Sequence, residues 1–250
     1  MPHLPTGFTA LDNALAIGGL PSGRITEIVG SPTSGVVTLA LTLTARAQRH
    51  SGSAIYIDLG QNFDPQFATH CGLDLSNLVL IRPKDALQAL SILHDFISGG
   101  VDGALVFDAD LAHFGESQKA KALATTLDRI ISPLSQSTCL LLFLTSLSTT
   151  GRDESDSVKN GHPNGSIIPH HSAVRLQVQR EKWLYKDGDI SGYKAQVNVA
   201  KNKLGPAGKQ VNLTIQFSER SSFEAVTTSC VEIVPARTAS AGASIYGGSS

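Results

Sequence analysis

At 250 residues and 41% hydrophobic content, the chain can bury one full α/β core, and its formal net charge of −1 excludes any global attraction to nucleic acid or anionic membrane. Cys71, Cys139 and Cys230 lie far apart with no CxxC pair, which excludes a disulfide framework or a short-spaced zinc site and predicts buried free thiols. The longest apolar run, Cys139 to Leu144, is far below the ~20 residues that span a bilayer, and the start MPHLPTG has no basic region followed by an apolar stretch, so a cytoplasmic protein is expected.

From residue 24 onward, apolar runs alternate with helical patterns, the signature of a βαβ series around a largely parallel sheet. Ile25, Ile28 and Val29 predict a strand ending at Gly30, and residues 37 to 49 a helix. Ala54 to Asp58 is the next strand, Pro65 to Cys71 a short helix and Val79 to Ile81 a further strand. Ala86, Leu90, Leu93 and Ile97 fall three or four apart, one stripe of a helix with Asp85 as its N-cap.

Ala104 to Phe107 predicts a buried strand ending in Asp108. Leu123, Leu127 and Ile130 give helical spacing over residues 117 to 132, with Pro133 expected to stop the helix. The run CLLLFLT supplies another strand. Residues 146 to 171 are then Ser, Thr, Gly, Asn and charge without periodicity, which predicts a long mobile loop.

Three segments after it, SAVRLQVQR, YKAQVNVAKN and KQVNLTIQF, alternate apolar and polar residues with period two, as antiparallel strands with one wet face do. The small, polar end ARTASAGASIYGGSS predicts a disordered tail over 236–250, leaving a single domain over 1–235.

Between the first strand and the first long helix stands Gly30-Ser31-Pro32-Thr33-Ser34-Gly35-Val36-Val37-Thr38. A phosphate-binding loop needs GxxxxGK[ST] in this place: backbone N–H groups cradle the phosphates, Lys meets the β/γ-phosphates and the hydroxyl holds Mg²⁺. Both glycines are present, but Val36 and Val37 stand where Lys and the hydroxyl residue belong.

Around this loop the sequence resembles the bacterial RecA recombinases. The resemblance is carried in order by LPTGFTALDNALAIGGLPSGRITEIVG, AIYIDLGQNFDPQFATHCGLDLSNL, GALVFDA, SAVRL and VAKNKLGPAGKQVNLTIQF, across roughly residues 4 to 218. It implies a RecA-type P-loop fold: a central, mostly parallel sheet flanked by helices, with antiparallel strands at its C-terminal side. It places the Walker B aspartate at Asp108, the catalytic glutamate at Gly60, the γ-phosphate-sensing glutamine near Thr145 or Ser146, and the adenine-stacking aromatic at Phe67 with Asp64 nearby.

Phosphoryl transfer depends on positioning and charge stabilisation, and one lost electrostatic group typically costs ~10²–10³ in rate. The chain is therefore expected not to hydrolyse ATP. Gly30, Ser31, Ser34, Gly35, Val36, Val37, Thr38, Phe67 and Asp108 form a vestigial nucleotide site. It serves either as a simple strand-to-helix turn or for weak ATP or ADP binding through helix N-terminal N–H groups; no cofactor is expected.

Between Arg175 and Lys209 there are eight Lys or Arg against three acids. Arg175, Arg180, Lys182, Lys201, Lys203 and Lys209 are candidates for nucleic-acid or partner contact, or else solvated lysines on exposed strands. Trp183, Tyr185 and Tyr193 lie among them, fit to stack on bases or to pack across strands. The resemblance adds that residues matching Lys201 and Lys203 lie near the subunit interface and nucleotide. His162, His170, His171 and His113 have no ligand-spaced acid or Cys and read as exposed bystanders.

ImuA-type proteins, which look like RecA without a working P-loop, are a similar case. The leading expectation is a non-catalytic accessory or scaffold protein in DNA repair, recombination or damage tolerance. Its partners would be recombinase or translesion polymerase components, with weak DNA binding and no membrane. Two alternatives stand beside it: a DNA-dependent ATPase borrowing Lys201 or Lys203, and a nucleotide- or anion-sensing regulator.

Overall fold

The computed structural model describes residues 2–109, 111–146 and 167–217, and the backbone of 231–233. Residues 147–166 of the loop expected at 146–171, the tail expected at 236–250, His162 and Cys230 lie outside the described residues.

The chain opens with β1 (His3–Leu4), α1 (Thr9–Leu15) and β2 (Leu20–Pro21), then β3 (Arg24–Gly30) and α2 (Val36–Ser51). Next come β4 (Ala54–Asp58), α3 (Pro65–His70), β5 (Leu78–Ile81), α4 (Ala86–Ser98) and β6 (Ala104–Asp108). A 3₁₀ turn at Leu111–Phe114 leads into α5 (Ser117–Ser135), followed by β7 (Leu140–Ser146) and α6 (Ile167–His171). β8 (Val174–Lys186), β9 (Asp189–Asn202), β10 (Gln210–Gln216) and β11 (Val231–Ile233) complete the described elements.

Among the described residues the main sheet has the order β10-β9-β8-β3-β7-β6-β4-β5-β11. Strands from β8 to β11 run parallel in that order, while β9 and β10 are antiparallel. The sheet is therefore mostly parallel with an antiparallel flank, as expected from the switch between continuous apolar runs and alternating ones.

Both faces are covered. Leu39 and Leu43 of α2 pack with Tyr56, Val106, Leu142 and Leu176 on one side. Leu93 of α4 and Leu127 of α5 pack with Ile57, Phe107 and Phe143 on the other. Burying apolar side chains of this size contributes about 1.5–3 kcal/mol each. Asp85 caps α4 by accepting from the Gln88 N–H at 2.8 Å, and the α4 stripe is buried as its spacing predicts. Cys71 and Cys139 are buried free thiols.

Four expectations need correction. Pro133 lies inside α5 rather than ending it: Leu134, 2% exposed, rewards one further turn, and a proline this near the end removes little of the hydrogen-bond ladder. Residues 167–171 are helical rather than loop, because Ile168, 2% exposed, anchors them in the second core. β8 and β9 extend to a two-residue turn at Asp187 and Gly188, both with positive φ (54° and 92°), as a right-twisted hairpin requires. Finally β11 adds a parallel strand beside β5 at the far edge, which no sequence pattern announced.

Candidate functional site

The loop between β3 and α2 occupies the place of a phosphate cradle. Gly35 caps α2 in the left-handed region at φ 99°, and Thr33 also has positive φ at 65°. The Ser34 N–H turns back to the Ser31 carbonyl at 3.0 Å, so one of the loop's donors is already engaged within it. The Ser34 hydroxyl is buried and has no protein hydrogen-bond partner among the described residues. Gly30 is required by close approach: a Cβ there would lie 2.2 Å from Ser34 Oγ and 2.6 Å from the Val178 carbonyl oxygen.

Val36, where the lysine would stand, packs against the first hydrophobic core, while Val37 is 41% exposed. Ser31 is exposed and Thr38 buried. Tyr193 of β9 reaches the loop from below: its hydroxyl donates to the Gly35 carbonyl at 3.1 Å, and Thr38 hydrogen-bonds to it as well. A Cβ on Gly35 would meet the Tyr193 oxygen at 2.7 Å. Burial pushes the Tyr193 phenol well up from its ordinary value.

Phe67, the expected adenine platform, meets Phe217 edge-on at 5.7 Å, and Phe217 meets Tyr193 at 6.3 Å. Its ring is thus one member of an aromatic row beside the loop. Asp64 is engaged as the N-cap of α3, accepting from the Gln66 and Phe67 N–H groups.

Asp108 stands at the end of β6 beside Asp58 at the end of β4. The fully buried Tyr56 donates its hydroxyl to Asp108 Oδ2 at 2.6 Å. Asp58, also fully buried, accepts from the Asn62 and Phe63 N–H groups at 3.0 Å and has Arg82 Nε at 3.5 Å. These contacts already compensate both carboxylates inside the fold.

Sequence reasoning missed a charged row across the other face. Glu27 of β3, Arg175 of β8 and Lys201 of β9 are register partners. Glu27 is 1% exposed; its Oε1 accepts from Thr145 at 3.0 Å and its Oε2 has Arg175 Nε at 3.2 Å. Burial raises the Glu27 carboxyl above its ordinary value, against the pull of Arg175, Thr145 and Lys201. The signal available beforehand was one acid inside the apolar strand ITEIVG.

The basic set therefore does not form one patch. Arg175, half-buried, belongs to the charged row with Glu27. Lys201 donates to the carbonyls of Pro169 and His170, and Lys203 to that of His170 at 3.1 Å, so both hold the end of α6. His171 faces Asp128 at 3.7 Å, and His113 lies within the 3₁₀ turn, one residue before its end. Arg180 lies over the Trp183 ring at 4.2 Å; Lys182 is exposed on the β8–β9 ribbon and Lys209 near the start of β10. Among the described residues no helix is long and apolar enough to cross a membrane.

The comparisons with known proteins agree with this architecture. The family model described as RecA N-terminal domain matches residues 1–222. Protein RecA of Streptomyces avermitilis is 33% identical over 237 residues, covering 88% of this chain and 62% of that protein. Protein RecA of Chlorobium chlorochromatii is 36% identical over 233 residues, with 86% and 64% covered. Protein RecA of Aquifex aeolicus is 33% identical over 232 residues, with 86% and 66% covered. This chain thus spans a little under two thirds of these relatives' own length. With a match over most of its residues and the sheet order just described, the chain belongs to the RecA family.

Proposed function

We propose that this chain is an accessory member of its family, acting in DNA recombination, repair or damage tolerance without turning over ATP. The observation that carries the reading is the fate of the phosphate loop: Val36 is a core contact and Tyr193 is bonded to Gly35. A triphosphate carries about four negative charges, and without a lysine the loop offers it only dipoles at a helix start. Gly60 and Thr145 supply neither a base nor a γ-phosphate sensor of the family's type, and Thr145 is spent on Glu27. The degenerate Walker A loop then works as a rigid turn, and the protein acts by holding partners such as a recombinase or translesion polymerase components in the cytoplasm.

The competing ATPase reading needs Lys201 or Lys203 to leave its own fold, since both are bonded to α6 carbonyls. Phosphate release with and without single-stranded DNA tests the proposal. Turnover at background level in both conditions is expected; DNA-stimulated release would overturn it.

One observation favours a second reading, a small-anion sensor: among the described residues the buried Ser34 hydroxyl has no protein partner, and it lies beside the N-terminus of α2. A rise in melting temperature with inorganic phosphate or sulfate, lost in Ser34→Ala, would establish it. An unchanged melting temperature would remove it.

A further inference from the structure

A working phosphate loop holds a Mg²⁺ ion between its hydroxyl residue and an aspartate at the end of a neighbouring strand. The residues of this chain do not fit that ion. Val37 stands at the hydroxyl position. Thr38, the next residue of α2, is buried and hydrogen-bonds to Tyr193.

The acidic half of the site is arranged differently from what a metal needs. Asp58 and Asp108 are register partners on adjacent strands. Side chains two residues apart along a strand share a face, and Tyr56 and Val106 pack in the core beneath α2, so both carboxylates lie on the side of the phosphate loop. Two carboxylates this close repel, and both stay ionised only if a cation joins them.

That cation comes from the next strand out, in the order β6-β4-β5. Arg82, half-buried, directly follows β5 and brings its Nε to 3.5 Å from Asp58 Oδ2. Both Asp58 oxygens also accept backbone N–H groups, Oδ1 from Asn62 and Oδ2 from Phe63. On the other carboxylate, the fully buried Tyr56 donates to Asp108 Oδ2 at 2.6 Å. Burial and the adjacent Asp108 raise the Tyr56 phenol well above its ordinary value, which keeps it a donor. Mg²⁺ demands oxygen ligands at about 2.0–2.1 Å in octahedral geometry. To reach Asp108 Oδ2 it would have to displace a phenol packed inside the core, and at Asp58 it would meet a guanidinium and two N–H groups.

We propose that the Arg82 guanidinium and the Tyr56 hydroxyl stand in for the divalent ion: the Asp58–Asp108 pair carries a built-in cation, and removing Arg82 turns it into a metal site. The folded chain neither needs nor admits Mg²⁺ there. This rests on the accessory reading and deepens it, carrying it from the phosphate loop to the metal half of the same site.

The probe is Mn²⁺, whose free-ion paramagnetic resonance signal falls on binding. Wild type is expected to leave that signal unchanged and to melt at the same temperature with Mn²⁺, Mg²⁺ or chelator. Tyr56→Phe/Arg82→Gln leaves the carboxylates uncompensated, so it should melt lower in chelator and recover as Mn²⁺ is added. Its Mn²⁺ affinity should exceed wild type's by about tenfold or more, the scale on which one adjacent charge shifts a carboxylate equilibrium. Adding Asp108→Asn should abolish the gain, which separates this site from Mn²⁺ held by surface histidines. Arg82→Gln alone should show a smaller gain, and it keeps the test standing if the double variant does not fold. Mn²⁺ binding by wild type that Asp108→Asn removes, or no gain in Arg82→Gln, would overturn the proposal. Phosphate release on the same samples separates the two ideas. Mn²⁺ bound at Asp108 with background release sinks only the built-in cation, and DNA-stimulated release from a wild type that binds no Mn²⁺ at Asp108 sinks only the accessory reading.

Discussion

Tyr193 donates its hydroxyl to the carbonyl oxygen of Gly35 at 3.1 Å, tying the antiparallel flank of the sheet to the loop where a nucleotide's phosphates would rest. The same ring touches Trp183 on the exposed ribbon and Phe217 beside Phe67. One side chain thus connects the phosphate-loop position, the aromatic row and the exposed β8–β9 ribbon.

Removing only that hydroxyl isolates the bond. Tyr193→Phe should lower stability by about 1 kcal/mol, the net worth of one intramolecular hydrogen bond. Tyr193→Ala should lower it by about 3–5 kcal/mol, since a fully buried ring leaves a cavity among packed neighbours. Urea unfolding followed by far-UV dichroism reads both as midpoint shifts at constant slope. A neutral Tyr193→Ala would show that the ring does not hold the loop.

Glu27 supplies a pH signature. Its folded carboxyl titrates above the ordinary 4.5 because burial outweighs Arg175, so the folded chain holds that proton more tightly than the unfolded chain. The favourable contribution is complete below the ordinary value and drains as pH rises through the raised one, at up to about 1.4 kcal/mol per pH unit. Glu27→Gln cannot ionise and lacks this slope. Unfolding midpoints of wild type and variant, measured from roughly pH 4 to pH 8, should therefore differ by an amount that moves against wild type as pH rises. A flat difference, or one moving the other way, would refute the burial argument.

Lys201 and Lys203 test whether the retained basic residues are structural. Lys201→Met/Lys203→Met removes the donors that cap α6, which should cost about 1–2 kcal/mol and speed amide exchange at Ser172, whose N–H bonds to the Ile168 carbonyl at 2.9 Å. Hydrogen exchange by mass spectrometry measures the second effect directly. Unchanged protection at Ser172 would return these lysines to the list of surface contacts.

Much of the fold was legible because burial imposes periodicity. Leu90, Leu93 and Ile97 mark α4 by spacing alone, and Ile25, Ile28 and Val29 mark β3 before Gly30. The Asp187-Gly188 turn went unread although both residues tolerate positive φ, because the strands on either side of it read as ending at Arg180 and beginning again at Tyr193. The last turn of α5 and the whole of α6 were not legible: the first is rewarded by the burial of Leu134, the second by Ile168 and by the Lys201 and Lys203 bonds to its carbonyls, against unfavourable local chemistry. β11 depends on pairing with β5 across more than a hundred residues of chain, a contact no local pattern encodes.

The sequence by itself determined the family, the succession of strands and helices, and the identity of the side chains at the phosphate loop, because these follow from local order along the chain. Only the tertiary structure decided which polar groups are spent: Arg175 on Glu27, Tyr56 on Asp108, Lys201 and Lys203 on α6, and Tyr193 on Gly35. The reason is that a charge or hydroxyl is free or committed according to what lies within about 3 Å of it, and in a crossover fold those neighbours come from distant strands.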